Sequence, residues 1–373
     1  MSLAAGLALG ACKSGGGGGE APVPVEQTLR ERADALLDPI VPVEGLDQDR
    51  VMLGARLYHD PNLSGDGTVS CASCHAVPDG GDDGAVSSTG IGGQVGPINS
   101  PTTLNSHLNF VQFWDGRAAS LEEQAAGPVA NPSEMGSSIE AAVAYLQSEP
   151  TYVDAFTRSF GGTIDQASIT TAIADYERTL TTPNSPFDRW LAGDDAAMSE
   201  QAVAGLTTFL DTGCTSCHRG AGVGGTSYEK MGVVHNYFER RGGELTAADM
   251  GRFNVTQSES DRHKFKVPLL RNVALTAPYF HDGSAETLAE AVETMAYVQL
   301  GRELTAEQTS SLVAFMEALS GEIPTVDVAA LNLPAARTGG APTDPTAVAV
   351  PADPAAVPAA DGSAAVEGSA QAP

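Results

Sequence analysis

The chain has 373 residues, of which 42% are hydrophobic and only 6% aromatic, and this length accommodates two domains with separate cores. Its 20 Lys and Arg against 47 Asp and Glu give a formal net charge of −27, which repels phosphate backbones and argues against nucleic-acid binding. No apolar run reaches the roughly 18 to 20 residues of a membrane-spanning helix, so we do not expect an integral membrane protein.

The chain begins with an apolar run that ends at a cysteine. Leu9-Gly10-Ala11-Cys12 resembles a bacterial lipobox, in which the cysteine is lipidated, and a glycine tether follows at 15–19. Lipoprotein signals have basic residues before the apolar run, and Met1-Ser2 supplies none. We expect residues 1–25 to be a lipoprotein-like signal and tether, the alternative being an incidental cysteine in a disordered N-terminus. Membrane contact would then occur only through the lipid anchor of a periplasmic protein.

Periodicity and capping residues predict helices joined by long loops. The segment from Asp165 to Leu180 repeats apolar residues at intervals of four, three and four, and two Thr-initiated capping boxes open further helices. These boxes are Thr287 with Glu290, opening Leu288 to Tyr297, and Thr305 with Gln308, followed by a stripe of Leu312, Phe315, Met316 and Leu319. Strand patterns are scarce, so the predicted fold class is mainly α.

Two motifs carry the strongest chemical signal, Cys71-Ala72-Ser73-Cys74-His75 and Cys214-Thr215-Ser216-Cys217-His218. In C-x-x-C-H, two thiols can add to the vinyl groups of one haem, and the histidine becomes an axial ligand. The alternatives are a four-cysteine zinc site, whose pairs lie closer in sequence, and redox dithiols, which need a thioredoxin-like βαβ setting that is absent. We therefore predict two covalently bound c-type haems, attached outside the cytoplasm.

The separation of the motifs predicts two c-type cytochrome-like haem domains. Cys71 and Cys214 lie 143 positions apart, too far for one multihaem cluster. We expect an N-terminal haem domain over 26–195 and a C-terminal haem domain over 196–333, with long loops at 78–101 and 220–225 wrapping the cofactors. Residues 334–373 lack aromatics, Leu and Ile, so we predict a disordered Ala/Pro-rich tail.

The second axial ligand of each iron stays open from the residues alone. Five further histidines and eight methionines are available, and periodicity does not choose between them. A haem with both axial positions filled transfers electrons, whereas an open position permits chemistry.

Several runs in order resemble the bacterial dihaem cytochrome c peroxidases and their MauG-type relatives. The resemblance covers most of Leu53 to Leu319. Its runs are Asp60-Pro61-Asn62-Leu63-Ser64, Gly96-Pro97-Ile98-Asn99-Ser100-Pro101-Thr102, Phe113-Trp114-Asp115-Gly116-Arg117-Ala118, Gln124 to Met135, Lys266-Val267-Pro268-Leu269-Leu270-Arg271-Asn272, Ala277-Pro278-Tyr279-Phe280-His281-Asp282-Gly283 and Glu293-Thr294-Met295-Ala296-Tyr297.

The resemblance implies different roles for the two haems. It makes the His75 haem peroxidatic and the His218 haem a high-potential electron-transfer centre with Met295 as second ligand, since a thioether raises the potential. From the residues alone, Met295 is more simply a core methionine on the helix opened by Thr287. MauG-type proteins have tyrosine at this position, so the methionine favours a peroxidase.

Three further residues take catalytic roles by the resemblance. Glu134 would shuttle the peroxide proton, Gln124 would orient the peroxide, and Trp114 would lie between the haems and assist electron passage. Taken singly, Glu134 could cap a turn, Gln124 could face solvent and Trp114 could anchor the domains to each other.

The resemblance also implies one calcium ion between the domains. Asn99, Thr276 and Pro278 match its ligand positions, where a side-chain oxygen and backbone carbonyls suit a hard cation.

One departure from the family pattern concerns the first haem. Many members have a histidine before Gly96 that caps the resting peroxidatic iron, and the aligned residue here is Ile91, which cannot bind iron. We therefore expect an open first haem that needs no reductive activation, with His59 and His107 as conceivable substitute ligands.

The expected function is reduction of hydrogen peroxide to water with electrons from a small c-type cytochrome or cupredoxin. The acidic surface favours a basic donor. The rivals are a MauG-type oxidase acting on a partner protein and a non-catalytic dihaem electron-transfer cytochrome. The resemblance also allows a homodimer.

Overall fold

A computed structural model describes residues 27–337, so the predicted lipoprotein signal with Cys12 and most of the predicted tail lie outside the described residues. The described chain is rich in helix with a single two-stranded sheet, as predicted. Its α-helices are α1 Leu29–Asp34, α2 Gln48–His59, α3 Cys71–Cys74, α4 Leu121–Ala130, α5 Ile139–Ser148, α6 Pro150–Phe160, α7 Gln166–Thr179, α8 Pro186–Leu191, α9 Glu200–Thr212, α10 Tyr237–Arg241, α11 Phe253–Thr256, α12 Leu288–Leu300 and α13 Ala306–Glu317. None of the helices within 27–337 has the length and apolarity needed to cross a bilayer.

The helices predicted from periodicity and capping are confirmed. Asp165 caps α7, and the apolar positions of that helix, including Ile169 and Ile173, are buried. Both Thr-initiated capping boxes form at the starts of α12 and α13. Helix α12 runs to Leu300, three residues past the predicted end, because the glycine that ends it is Gly301, in the left-handed conformation.

One close helix crossing organises the first core. Helix α2 packs against α7, and Gly54 faces the α7 backbone at the crossing. A Cβ there would fall on the Ala172 carbonyl, 2.6 Å from its carbon and 2.8 Å from Tyr176 Cβ. Only glycine permits this approach, so the backbones of α2 and α7 come into direct contact.

The second core repeats this arrangement with different helices. Helix α9 packs against α13, and a Cβ on Gly205 would lie 2.5 Å from the Ser311 carbonyl carbon and 2.8 Å from Phe315 Cβ. The last residue of α9 precedes Gly213, which leads directly into the second C-x-x-C-H turn. The crossing therefore fixes the position from which the second haem-binding turn starts.

Each core includes residues from the opposite end of the described chain. Ala33 and Leu37, from the first described helix and the residues after it, pack in the second core with Phe187 and Trp190 of α8. Leu331, near the end of the described chain, packs in the first core. The predicted boundaries at 195 and 333 therefore differ from the core memberships, because chain segments cross between the cores where apolar surface is available.

A buried arginine ties the second motif to the crossed segments. Arg271 is fully buried, and its guanidinium donates to Asp188 Oδ1 at 2.7 Å, to Ala221 O at 2.8 Å and to Asp38 O at 2.8 Å. Asp188 is on α8, Ala221 is on the loop that follows the second C-x-x-C-H turn, and Asp38 follows α1. This buried ion pair, with its added bonds to two backbone carbonyls, holds that loop in one position.

The two strands lie beside the second motif. Strand β1 is Tyr228–Lys230 and β2 is Lys264–Lys266, paired antiparallel with Tyr228 opposite Lys266. The Lys266 N–H also donates to Trp114 O at 2.8 Å, which connects β2 to the loop of the first half that carries Trp114.

The described chain continues into the segment predicted as a tail. Asn62 Nδ2 donates to Ala335 O at 3.2 Å, and the Arg337 N–H donates to Asn62 Oδ1 at 2.7 Å. The Arg337 guanidinium lies 4.8 Å from the centre of the Tyr145 ring. Residues 334–337 are thus attached to the first half, and the rest of the segment predicted as a tail lies outside the described residues.

Candidate functional site

Both C-x-x-C-H motifs form a single tight turn. The first is α3, in which the His75 N–H donates to Cys71 O at 3.0 Å. In the second, the 3₁₀ turn Cys214–Ser216, the His218 N–H donates to Cys214 O, also at 3.0 Å. The four described cysteines form no disulfide with one another. One helical turn therefore presents two thiols and an imidazole together, which is the donor set that covalent attachment of one haem requires.

The two histidines are oriented in the same way. His75 Nδ1 lies 3.3 Å from Gly81 O, and His218 Nδ1 lies 3.1 Å from Val223 O. A carbonyl only accepts, so each Nδ1 carries the hydrogen and each Nε2 keeps its lone pair for a metal. Burial lowers the pKa of His75, and it lowers that of His218 to about 4. Both imidazoles are thus neutral at physiological pH and suited to bind iron.

An apolar cavity adjoins the second turn. Cys214, Cys217 and His218 line it, and Met295 of α12 lines it as well. The other lining side chains are mostly apolar, among them Phe209, Leu269, Leu270, Val292, Leu312 and Met316. Thiols, an imidazole and a thioether around one apolar cavity fit a c-type haem with His and Met ligands. Met295 thus reaches the second motif from 77 residues further along the chain.

A glycine keeps the second histidine close to its supporting loop. Gly224 has a φ of +142°, and a Cβ there would lie 3.0 Å from the Pro268 carbonyl carbon and 3.3 Å from His218 Nδ1. Any larger residue would displace the loop that orients the imidazole. The 220–225 segment predicted to wrap a cofactor therefore supports the proximal histidine.

Trp114 lies on the wall of the same cavity. Its Nε1–H donates to Asn99 O at 2.9 Å, and its ring meets Phe265 and His281 edge-on. The indole is thus fixed in orientation between the loop of the first half and the second cavity.

The three predicted calcium ligands also line this cavity. Asn99 is on its wall from the first half of the sequence, and Thr276 and Pro278 are on its wall from the second half. Asn99 Nδ2 donates to Ala85 O at 2.9 Å, which leaves its Oδ1 as the atom that a cation could use.

An acidic cluster nearby is paired with an arginine side chain. Asp249, His281 and Asp282 place three ligand-type atoms together, but Arg241 donates to both carboxylates, at 2.7 and 2.8 Å. Burial opposes ionisation of Asp249, yet hydrogen bonds from His281 and Arg241 hold its pKa well below the usual range. This cluster is a structural ion network rather than a metal site.

Glu134 lies beside the first turn. Asn131 Nδ2 donates to Glu134 Oε1 at 2.7 Å. Burial raises the pKa of the Cys71 thiol to about 12, and the charges of Glu177 and Glu134 contribute to that rise. Burial likewise raises the pKa of Cys74, and Glu134 again contributes. The carboxylate is therefore near both thiols of the first motif.

The other residues predicted for the first site are Gln124, Ile91 and the two substitute histidines, His59 and His107. Gln124 is half-buried on α4. The Ile91 N–H donates to Glu134 O at 2.7 Å, so the loop that carries Ile91 packs directly on the Glu134 turn. The conceivable substitute ligand His59 has its Nδ1 2.8 Å from Ala55 O on its own helix, and His107 Nδ1 is buried and makes no hydrogen bond within the described chain.

Two buried groups of α7 have polar atoms that the sequence did not single out, although Tyr176 belongs to the predicted apolar stripe. Tyr176 Oη and Glu177 Oε2 have no hydrogen-bond partner among the described residues. Burial raises the pKa of Glu177 to about 8. Unsatisfied buried polar atoms beside Cys71 fit a site that a polar-edged cofactor completes. Tyr176 belongs to the apolar pattern of α7, whereas nothing in that pattern marks Glu177.

The chain resembles known proteins over most of its length. A family model described as di-haem cytochrome c peroxidase matches residues 48–196. The cytochrome c551 peroxidase of Nitrosomonas europaea is 48% identical over 293 residues, which cover 77% of this chain and 85% of the relative. The cytochrome c peroxidase Ccp of Escherichia coli K12 is 48% identical over 295 residues, 79% of this chain and 63% of the relative.

A solved structure has the same fold. The crystal structure of a MauG-like protein associated with microbial copper homeostasis superposes with a TM-score of 0.66 at 28% identity, covering 81% of this chain and 96% of that one. Two C-x-x-C-H turns with similarly oriented histidines, found in a chain with relatives of this identity and coverage, confirm the resemblance identified from the sequence. The chain belongs to the dihaem cytochrome c peroxidase family, which includes the MauG proteins.

Proposed function

We propose that the protein is a periplasmic cytochrome c peroxidase that reduces hydrogen peroxide to water with electrons from a small c-type cytochrome or cupredoxin. The observation that carries this proposal is the difference between two similarly built haem turns. The first has the Glu134 carboxylate, oriented by Asn131 and within electrostatic range of both thiols, whereas the second has the thioether of Met295 on its cavity wall beside a different carboxylate, Glu229. The thioether assigns electron transfer to the second site, which leaves the peroxide chemistry to the first.

The first site carries out the proton transfers of the proposed reaction. Peroxide reduction consumes two electrons and two protons per hydrogen peroxide and releases two waters, so one oxygen must lose a proton and the other must gain one. Haem bound through Cys71, Cys74 and His75 supplies the redox chemistry. Glu134 takes and returns the proton, and the hydrogen bond from Asn131 fixes the orientation of its carboxylate. Gln124 on α4 is the amide that positions the peroxide.

The second site receives electrons. His218 and Met295, which line one cavity, would hold a haem there, and a thioether ligand would raise its reduction potential so that it could accept electrons from a donor protein. Trp114, fixed by its hydrogen bond to Asn99 O, lies on the wall of this cavity and assists passage toward the first site. Asn99, Thr276 and Pro278, which line the same cavity, would supply oxygen ligands to one calcium ion.

The first haem is open in the resting state. Ile91 stands where many relatives have a ligating histidine, and its side chain packs on the turn that carries Glu134: a Cβ on Gly136 would lie 2.9 Å from Ile91 Cγ2. A hydrocarbon side chain here offers no ligand to iron. Peroxide therefore binds without prior reduction of the second haem.

Charge and location complete the proposal. A net charge of −27 favours a basic donor protein, so turnover with a basic cytochrome falls steeply as salt is added. Covalent haem attachment and the Cys12 signal support export to the periplasm, with a lipid anchor as the membrane contact.

The test compares two glutamate variants as purified dihaem proteins. Glu134→Gln is expected to slow steady-state peroxide reduction at least about 100-fold, since a positioned acid–base group contributes roughly 10² to 10⁴. Glu140→Gln, at an exposed glutamate on α5, is the matched control and leaves the rate unchanged. Full activity in Glu134→Gln would contradict the assigned role.

The MauG-type alternative has support from the MauG-like neighbour structure. It predicts oxidation of a partner protein in place of turnover with small donors. Met295 argues against it, since the resemblance places tyrosine there in MauG-type proteins. A non-catalytic dihaem cytochrome predicts no reaction with peroxide at all.

A further inference from the structure

A buried lysine in the second half has no acidic partner. Lys266 is 5% exposed, and its Nζ donates to Asn109 Oδ1 at 3.1 Å. Within the described chain, it forms no ion pair with a carboxylate. Burial lowers its pKa to about 8, so the ammonium form is destabilised where it stands. A buried charge of this kind ordinarily has an opposite charge beside it.

The side chain lines the second-site cavity. Of the described residues on that wall, Lys266 is the single lysine or arginine, and Asn109, its hydrogen-bond acceptor, is there too. Glu229 is the carboxylate on the same wall, and Ser227 Oγ donates to it at 3.4 Å. The backbone of Lys266 is held by β1 and by Trp114 O, so the ammonium is carried on a fixed strand.

The cavity is also where the second porphyrin is expected. A c-type haem bound to Cys214 and Cys217 carries two propionates that need hydrogen-bond donors or cations when they leave water. The wall otherwise offers neutral amides and hydroxyls, such as those of Asn99 and Thr102. The Lys266 ammonium lacks a carboxylate partner, and a haem propionate in this cavity would lack a cation. Pairing the two groups offsets the cost of taking each charge out of water.

We propose that Lys266 Nζ pairs with a propionate of the second haem and thereby raises its reduction potential. The inference rests on the proposed function, because it needs a haem at Cys214 and Cys217. Reduction adds one electron to the iron, and a fixed cation near the porphyrin stabilises the reduced form relative to the oxidised form. Lys266 is thus a positioning and tuning residue, distinct from the axial ligands.

The test is a spectroelectrochemical titration of the purified dihaem protein. Lys266→Met removes the charge and leaves an unbranched side chain suited to burial, and Lys266→Gln is the second neutral variant. Each is expected to reduce the ferrous-to-ferric ratio of the second haem at least tenfold at fixed potential, a fall of about 59 mV for one electron. Lys266→Arg keeps the positive charge, so the reduction potential of its second haem is expected to stay close to that of wild type.

A lysine on the same strand provides the matched control. Lys264 is partly exposed and pairs with Asp261 at 3.2 Å, so Lys264→Gln leaves the potential unchanged. Equal potentials in wild type and Lys266→Met, or an equal fall in Lys264→Gln, would overturn the inference. Absence of covalent haem at the second motif in the wild type would instead overturn the proposed function, so the two failures are distinct.

Discussion

The close crossing of α9 and α13 makes Gly205→Ala a sharp test of how the second haem site is held. The added Cβ would lie 2.5 Å from the Ser311 carbonyl carbon and 2.8 Å from Phe315 Cβ, whereas carbon atoms in contact are separated by about 3.5 to 4.0 Å. The two helices must therefore separate by about 1 Å. Because α9 leads into the Cys214 turn, that shift is transmitted to the haem-binding residues.

The magnitude follows from two opposing effects. Overpacking a well-packed contact costs about 1 to 3 kcal/mol and occasionally more. Alanine regains about 1 kcal/mol of helix propensity. Since the overlap is with backbone atoms, which cannot move away by rotamer change, the upper part of the range applies, and we expect a net loss of about 2 kcal/mol.

Urea unfolding of the dihaem protein, followed by circular dichroism and by haem absorbance, measures this loss. Gly127→Ala on α4 is the matched control, because its Cβ would make only an ordinary contact, 3.4 Å from Phe113 Cζ. Gly127 precedes Pro128, whose ring disfavours helical backbone in a residue with a Cβ, so the gain in helix propensity is offset and the control should be close to wild type in stability. If Gly205→Ala is as stable as Gly127→Ala, the crossing does not position the second site.

Three further predictions concern the first half of the molecule. Ile91→His should supply a second axial ligand to the first haem, convert its ferric EPR signal from high-spin to low-spin and slow the resting enzyme's reaction with peroxide; an unchanged signal would contradict the assigned position. Burial raises the pKa of Glu177 to about 8, so the stability that its protonated form contributes is present below pH 4.5 and is lost as pH rises through 8. Glu177→Gln should remove this decline, worth a few kcal/mol, from the pH dependence of the free energy of unfolding. A variant whose pH profile runs parallel to that of wild type would refute this prediction. Asp60 accepts from Tyr145 and Tyr152, both at 2.8 Å, so Asp60→Ala should cost about 3 kcal/mol in urea unfolding by leaving two buried hydroxyls unpaired, whereas a cost below about 1 kcal/mol would refute that role.

The sequence predicted the parts of the fold and site that depend on local pattern. The start of α7 at Asp165 and the capping boxes at Thr287 and Thr305 followed from side chains that satisfy the first backbone N–H groups of a helix. The C-x-x-C-H turns followed from covalent chemistry that fixes both spacing and residue type.

Features that depend on packing between distant segments could not be read from local pattern. Gly54 and Gly205 look like ordinary helix glycines until the partner helix is placed against them. Lys266 belongs to a motif used for the family resemblance, but only the fold shows that its ammonium is buried on a cavity wall. Residues 334–337 have a tail-like composition, yet hydrogen bonds between the backbone at Ala335 and Arg337 and the side chain of Asn62 hold them in place.

The central claim is that one haem is open and reacts with peroxide while the other is closed by methionine. EPR spectroscopy of the fully oxidised dihaem protein, before and after one equivalent of hydrogen peroxide, tests it most directly. We expect one high-spin ferric signal, from the His75 haem, that disappears with peroxide, beside one low-spin signal from the haem of His218 and Met295. Two low-spin signals that peroxide leaves unchanged would contradict the claim and identify an electron-transfer cytochrome.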